Sequence, residues 1–295
     1  MSDLSVIGLG DMGSAIARAL LAAGLAVTVW NRSDARVTPL VERGATAAVS
    51  AGAAIEASPA ALLCVSDYPA TMALFEGTTR ALHGRLIVQF ASGTPAQARA
   101  LETKVRQAGG RYLDGAIGAW PRQVGSPDAS FTLAGNADDF AAARPLLDLL
   151  GGQLTHVGPD AGHAKAYANA GLAYFAGHWI GFAQGAALLE TEGLDPAMLG
   201  DMLASMGPIL ATDMQRMGRA IATEAFDEAE STVKTIAGDL RWLAELADAT
   251  GAEAEFARLA AALFARARDL GLGDKQHSAI IKVLRGRLAA PVPPA

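Results

Sequence analysis

The chain has 295 residues, is 51% hydrophobic and 18% charged, and carries a formal charge of -6. That balance supports a large apolar core, and without a Lys/Arg cluster it argues against nucleic acid as a partner. The lone Cys64 excludes an intrachain disulfide; no apolar run reaches membrane-span length and no signal peptide opens the chain, so a soluble cytoplasmic protein is expected.

The first predicted strand, Leu4 to Ile7, runs straight into Gly8-Leu9-Gly10-Asp11-Met12-Gly13. Ile16, Ala19, Leu20 and Ala23 follow at helical spacing and stop at Gly24, and a second strand begins near Ala26. The glycines therefore sit in a β-α-β unit, the context in which G-x-G-x-x-G binds a dinucleotide. Gly8 suits the tight turn off the strand, Gly10 lets backbone approach a pyrophosphate, and Gly13 lets helix and strand pack closely. The helix N-terminus then offers its unpaired N–H groups to the phosphates.

The end of the second strand selects the dinucleotide. It reads Trp30-Asn31-Arg32-Ser33, with Arg36 following and no carboxylate at the tip. An NAD site ordinarily places an acid there for the ribose hydroxyls. Arg32 can pair with a 2′-phosphate, and Asn31 and Ser33 can donate hydrogen bonds, so NADP(H) is expected. The alternative for Arg32 and Arg36 is plain surface charge.

Strands and helices alternate down to about residue 158. Ala61 to Val65, Arg85 to Phe90, Arg111 to Asp114, Ser130 to Leu133 and Gln153 to Val157 read as strands. Repeated β-α units imply an α/β fold, a Rossmann-type doubly wound, mainly parallel sheet. Ligands bind beyond the carboxyl ends of such strands, which brings Ser66-Asp67-Tyr68, Ser92-Gly93-Thr94 and Gly115-Ala116 to the cofactor, unless these are ordinary loops. Thr94 can cap the next helix, with Pro95 in its first turn.

After Gly158-Pro159 the pattern becomes helical. A long helix is predicted over 160–192, roughly 50 Å at about 1.5 Å per residue. Further helices are read over 196–206, 208–222, 224–251, 253–270 and 275–288. The expected division is a nucleotide-binding domain over 1–159, a connecting helix over 160–192, a helical dimerisation and substrate domain over 193–290, and a disordered tail over 291–295. A helix so long and apolar calls for a second subunit to cover it.

On that helix His163, Tyr167, Tyr174 and His178 share one stripe, read as core or interface. Lys165 and Asn169 lie almost opposite, one turn apart. A lysine in an apolar setting with a lowered pKa can give a proton to a reduced carbonyl or imine, and Asn169 can orient the substrate. The alternative is a solvated lysine on the first exposed turn. The five histidines show no metal-ligand spacing, so no metal is expected.

These stretches resemble the β-hydroxyacid dehydrogenase superfamily, and within it the imine reductase and reductive aminase branch. The resemblance rests on Gly8 to Gly13, Val29 to Ser33, Ser66-Asp67-Tyr68 with Met72, Ser92 to Pro95, and Asp160-Ala161-Gly162. It also rests on Gly181-Phe182 with Ala186-Ala187-Leu188, and on Gly271 to Arg285. The discriminating run is Tyr112-Leu113-Asp114-Gly115-Ala116-Ile117 through Pro121 to Gly125-Ser126-Pro127, which is unlike the Asp-Ala-Pro-Val-Ser-Gly-Gly of hydroxyacid dehydrogenases.

The resemblance implies an NADPH-dependent reductase of C=N bonds, with a helical domain like that of 6-phosphogluconate dehydrogenase. It implies a homodimer whose helical domains exchange. The family's usual acid on the long helix falls on Ala168, which leaves Lys165 and Asn169 as substitutes. Lys followed by Asn also resembles the hydroxyacid dehydrogenase pattern, one residue early, and keeps an NADP-dependent 3-hydroxyacid or carbonyl dehydrogenase as the alternative. The second lysine of those enzymes is missing from Ala237-Gly238-Asp239-Leu240. Trp120, Trp179, Ile209 and Met214 are candidate pocket walls, with simple core as their alternative, and Asp239 is a candidate for holding a substrate amine.

Overall fold

The computed structural model describes residues 2–286. The chain divides into two compact units, Met1–Ala173 and Tyr174–Ala295. The first is built from β1 (Leu4–Ile7), α1 (Asp11–Ala22), β2 (Val27–Trp30), α2 (Thr38–Val41), β3 (Thr46–Ala47), α3 (Ala51–Glu56) and β4 (Ala60–Leu63). It continues through α4 (Tyr68–Leu74), β5 (Leu86–Gln89), α5 (Pro95–Gln107), β6 (Arg111–Gly118), β7 (Ser130–Gly135), α6 (Ala137–Leu147) and β8 (Gln153–His156). The helix α7 (Gly162–Thr191) begins in this unit and runs on into the next.

The strands lie in the order β3-β2-β1-β4-β5-β6-β7-β8, parallel except for the antiparallel pair β6 and β7. The order reverses direction between β1 and β4, which is where a doubly wound sheet opens a crevice for ligand. β1 and β4 read Leu-Ser-Val-Ile and Ala-Ala-Leu-Leu and are buried on both faces, as strands inside a parallel sheet must be. One face packs on Leu9, Ile16, Leu20 and Leu147, the other on Ile55, Phe75, Leu101 and Val105. Ser5, the polar residue of β1, is satisfied by Ala54 carbonyl oxygen at 2.5 Å and Ser58 Oγ at 2.7 Å.

The predicted strands appear with ends moved by a residue or two, except β6. It does not stop at Asp114 but continues to Gly118, because its second half pairs with β7 from Gly115↔Leu133 to Gly118↔Ser130. Gly115 looked like a strand end. It is a strand interior where the Phe90 ring comes so close that a Cβ would lie 2.4 Å from the ring. The short β3 was not anticipated, having only two residues at a sheet edge.

The second unit holds the rest of α7 with α8 (Ala197–Ser205), α9 (Gly207–Thr223), α10 (Val233–Thr250), α11 (Glu255–Ala267) and α12 (Ile281–Leu284). The helix expected over 224–251 starts only at Val233. Glu224 takes a left-handed φ of 55° that ends α9, and Thr232 caps α10 by accepting the Thr235 N–H at 3.3 Å. The last expected helix is broken as well, into a 3-10 turn over His277–Ile280 and the short α12. Its end and the tail over 291–295 lie outside the described residues. Among the described residues no helix is long and apolar enough to cross a membrane.

Candidate cofactor and substrate cleft

A cleft of about 890 Å³ lies in the first unit at the carboxyl ends of β1, β4, β5 and β6. Its lining includes Gly8, Gly10, Asp11, Met12, Gly13, Asn31 and Arg32 on the β1–β2 side, and Ser66, Ser92 and Gly93 on the β4–β5 side. The glycines have separate causes. A Cβ on Gly13 would sit 1.9 Å from the Gly8 carbonyl oxygen, so the helix start touches the loop backbone. A Cβ on Gly10 would meet no protein atom within 4 Å, so the open backbone there suits a ligand. No side chain caps α1, which leaves its first N–H groups for an anion.

The predicted cofactor residues line the cleft or brace its loops. Asn31 Oδ1 accepts the Leu9 N–H at 3.0 Å, and its Nδ2 donates to the Ser33 carbonyl at 3.1 Å, so this amide ties the glycine loop to the β2 end. Arg36 forms an exposed ion pair with Asp11 at 2.9 Å. Arg32 is exposed in the cleft lining and has no ion pair among the described residues. Asp67 and Thr94 are the N-caps of α4 and α5, with Thr94 in a full capping box. Ser66 Oγ donates to Asp67 Oδ2 at 3.1 Å. These residues fit a dinucleotide carrying a 2′-phosphate: a bare backbone for the pyrophosphate, a helix start for its charge, and an arginine at the ribose end.

The other half of the cleft is mostly apolar, formed by Ala70, Leu74, Phe90, Ala116, Ile117, Ala168 and Leu172 together with Lys165 and Asn169. α7 reaches it because Asp160 holds the helix start. Asp160 accepts the Gly162 N–H at 2.8 Å and takes a fork of hydrogen bonds from Arg99 at 2.8 and 2.9 Å. The Arg99 fork, with the Gly162 bond, keeps the Asp160 carboxyl below the usual carboxylate range.

Lys165 corrects both sequence-based settings, since it is neither solvated nor in purely apolar surroundings. Its side chain is 3% exposed, and Nζ lies 3.1 Å from Asp114 Oδ1 and donates to the Gly115 carbonyl at 2.5 Å. Asp114 is fully buried, and its Oδ2 accepts from Tyr68 at 2.5 Å and Tyr112 at 2.6 Å. Burial pushes the Asp114 carboxyl upward, opposed by the Lys165 charge and the two tyrosine hydroxyls. Burial and the neighbouring carboxylate push both phenols upward. Asn169 Nδ2 donates to Gly93 carbonyl at 2.9 Å and to Lys165 carbonyl at 2.8 Å. Two side chains one turn apart on α7 thus grip the loop after β5 and the middle of β6.

The Tyr68–Tyr112–Asp114 cluster was not foreseen. Tyr112 and Asp114 share a strand face at a spacing of two, a readable signal, but Tyr68 arrives from a different β-α unit. Cys64 lines the cleft beneath the glycine loop, where burial raises its thiol to about 11. Trp120 is 60% exposed and is not among the cleft-lining side chains. Trp179, Ile209 and Met214 belong to the second unit, where they are 53%, 67% and 46% exposed, and Asp239 is exposed there too. Simple core does not describe any of these four large side chains. Among the described residues no group of three or more metal-ligating side chains converges.

Known proteins match both parts of this chain. Residues 3–158 match the NAD binding domain of 6-phosphogluconate dehydrogenase, and residues 160–286 match the C-terminal domain of NADPH-dependent reductive aminase-like proteins. The chain is 33% identical to the NADPH-dependent reductive aminase of Aspergillus oryzae over 189 residues, and spans 64% of that protein with 64% of its own length. An imine reductase from Myxococcus stipitatus in complex with NADP+ superposes with a TM-score of 0.90 at 31% identity, over 96% of this chain and 99% of that one. A reductive aminase from Aspergillus terreus in complex with NADPH and ethyl levulinate gives 0.91 at 32% identity, over 97% and 100%. The chain belongs to the imine reductase and reductive aminase branch of the β-hydroxyacid dehydrogenase superfamily.

Proposed function

We propose that this protein is an NADPH-dependent oxidoreductase that reduces the C=N bonds of imines and iminium ions to amines. The observation that carries this reading is one chain joining a 2′-phosphate-ready dinucleotide cleft to a reductive aminase-like helical half. Bound NADPH supplies the hydride. Gly8 to Gly13 and the α1 N-terminus hold the pyrophosphate, while Arg32 holds the 2′-phosphate by a charge-assisted contact. Ser66, Ser92 and Gly93 edge the same groove, with Asp67 and Thr94 fixing their loops. The apolar walls exclude water from the reacting carbon.

Lys165 and Asn169 are the polar side chains on α7 at this half of the cleft, and they serve the substrate nitrogen. Lys165 Nζ, held by Asp114 and the Gly115 carbonyl, stands at the cleft wall, and Asn169, its NH₂ spent on two backbone carbonyls, offers its amide oxygen to a substrate N–H. The same pair is the feature that favours the second reading, an NADP-dependent 3-hydroxyacid or carbonyl dehydrogenase. The chain works as a nucleotide domain over 1–159, a connecting helix over 160–192 and a helical domain over 193–290. A second copy covers the exposed apolar side chains of α7, with the helical domains exchanged in a cytoplasmic homodimer. Trp120, Trp179, Ile209, Met214 and Asp239 complete the substrate pocket there.

The test is NADPH consumption with a small cyclic imine, followed by absorbance, in wild type, Lys165→Ala and Asn169→Ala. Turnover in wild type that falls in either variant with NADPH binding retained supports the reading. Oxidation of a 3-hydroxyacid with NADP and no imine turnover overturns it in favour of the second. Arg32→Ala is expected to weaken NADPH about 10- to 100-fold while leaving NADH nearly unchanged.

A further inference from the structure

Two arginines stand at the ribose end of the cofactor cleft, and their situations differ. Arg32 lines the cleft and has no ion pair among the described residues. Arg36 ends the 3-10 turn Asp34–Arg36 after β2 and is not part of that lining. Its Nη1 donates to Asp11 Oδ1 at 2.9 Å, so the pair reaches from the β2 side to the first residue of α1. Asp11 does line the cleft, in the helix turn whose dipole favours an anion. Among the described residues its carboxylate accepts one hydrogen bond, the one from Arg36. The other acid of this turn, Asp34, is exposed and has no ion pair among the described residues.

A carboxylate and a phosphate ask a guanidinium for the same forked contact, so one arginine cannot serve both in full. The Asp11 and Arg36 side chains are 81% and 55% exposed, and water screens such a pair, which keeps the contest for Arg36 close. We propose that Asp11 is a specificity-tuning residue, which competes with the cofactor's 2′-phosphate for Arg36 and leaves the choice of NADP(H) over NAD(H) to Arg32. The inference rests on the cofactor assignment above and goes beyond it. The opposite arrangement has Arg36 on the 2′-phosphate, where it also screens that phosphate from Asp11. The two differ in sign. Under competition, Arg36 matters more once Asp11 is neutral. Under screening, Arg36 matters more while Asp11 keeps its charge.

The test is calorimetry of NADP+ and NAD+ binding to the full-length protein, read as the ratio of the two Kd values. That ratio cancels effects on the pyrophosphate that both cofactors share. Asp11→Asn is expected to shift the ratio toward NADP+ about three- to tenfold. Arg36→Ala alone is expected to change it by less than about twofold, and Asp11→Asn/Arg36→Ala to return it to within about twofold of wild type. An unchanged ratio in Asp11→Asn overturns the inference, as does a loss on Arg36→Ala that is equal or larger in wild type than in Asp11→Asn. Asp34→Asn makes the same charge change without the contact, so it should not alter the response to Arg36→Ala; the same coupling from Asp34→Asn would also overturn the inference. Wild type that binds NAD+ as tightly as NADP+ overturns the cofactor reading and the inference with it, whereas a preference for NADP+ with the wrong coupling overturns the inference alone.

Discussion

The two units of this chain handle their apolar residues differently. In the first, both faces of the sheet are covered and the large side chains, Phe75, Tyr112 and Phe131 among them, are fully buried. In the second, a small cluster around Phe226, Val233 and Val283 is buried, while Trp179, Ile209, Trp242 and Leu259 stand open. A sheet sandwiched by helices completes its own core; a set of helices that is apolar on several sides does not. Exposed apolar patches of this kind mark surfaces meant to be covered. The first unit completes its own core, whereas the second leaves large apolar side chains uncovered, which is the surface the proposed second copy would cover.

The largest expected effect lies in the finished core of the first unit. Lys165→Met removes one partner of the buried pair and leaves the Asp114 charge uncompensated, which should cost about 3–5 kcal/mol in denaturant unfolding. The double variant Lys165→Met/Asp114→Asn should recover much of that loss, since no charge is then stranded. If the single variant costs less than about 1 kcal/mol, the core of the first unit is not organised around this pair.

Trp179→Glu combined with Ile209→Glu places charge on the exposed faces of the second unit. In light scattering the mass should fall to that of one chain, while NADPH affinity, set by the first unit, changes little. A wild-type protein that already runs as a single chain would remove the assembly reading of those faces.

The smallest effect concerns Cys64. Burial lifts its thiol from 9.0 to about 11, so the folded protein holds this proton where the unfolded chain has lost it. Stability is therefore unaffected below about pH 9, and falls as pH rises from about 9 to about 11, by up to about 2–3 kcal/mol. Cys64→Ala should flatten that part of the pH profile. Alkylation of the native thiol at neutral pH should be slow and become fast on unfolding.

The sequence alone was sufficient for the dinucleotide half. The Gly8 to Gly13 loop, the alternating strands and the Arg32 tip are local patterns, and each reports a local requirement: a tight turn, a period of two, a charge at a strand end. The alternation also carried the sheet class, and the long helix was legible from its unbroken helical spacing. What local pattern could not carry were features set by partners distant in the chain. β6 runs past Gly115 because β7 pairs with it, and Gly115 is there because Phe90 leans on it. The helix expected from residue 224 begins at Val233 because Glu224 turns left-handed to close α9.

The candidate site divides along the same line. Asn31, Asp67 and Thr94 were named as cofactor residues from their place at strand ends, but the tertiary structure gives them supporting bonds, one tying loops together and two capping helices. Lys165 was legible as a polar residue on an apolar helix. Its ion pair joins positions far apart in sequence, Asp114 on β6 and Lys165 on α7, with Tyr68 from α4 completing it, and only the packed sheet brings them together. Composition and spacing pointed to a nicotinamide dinucleotide and to the loop proposed to hold it. Tertiary contact alone decided which charges are paired beside the cleft, because the sign of a buried site depends on which partners neutralise each other, and no one-dimensional pattern records that.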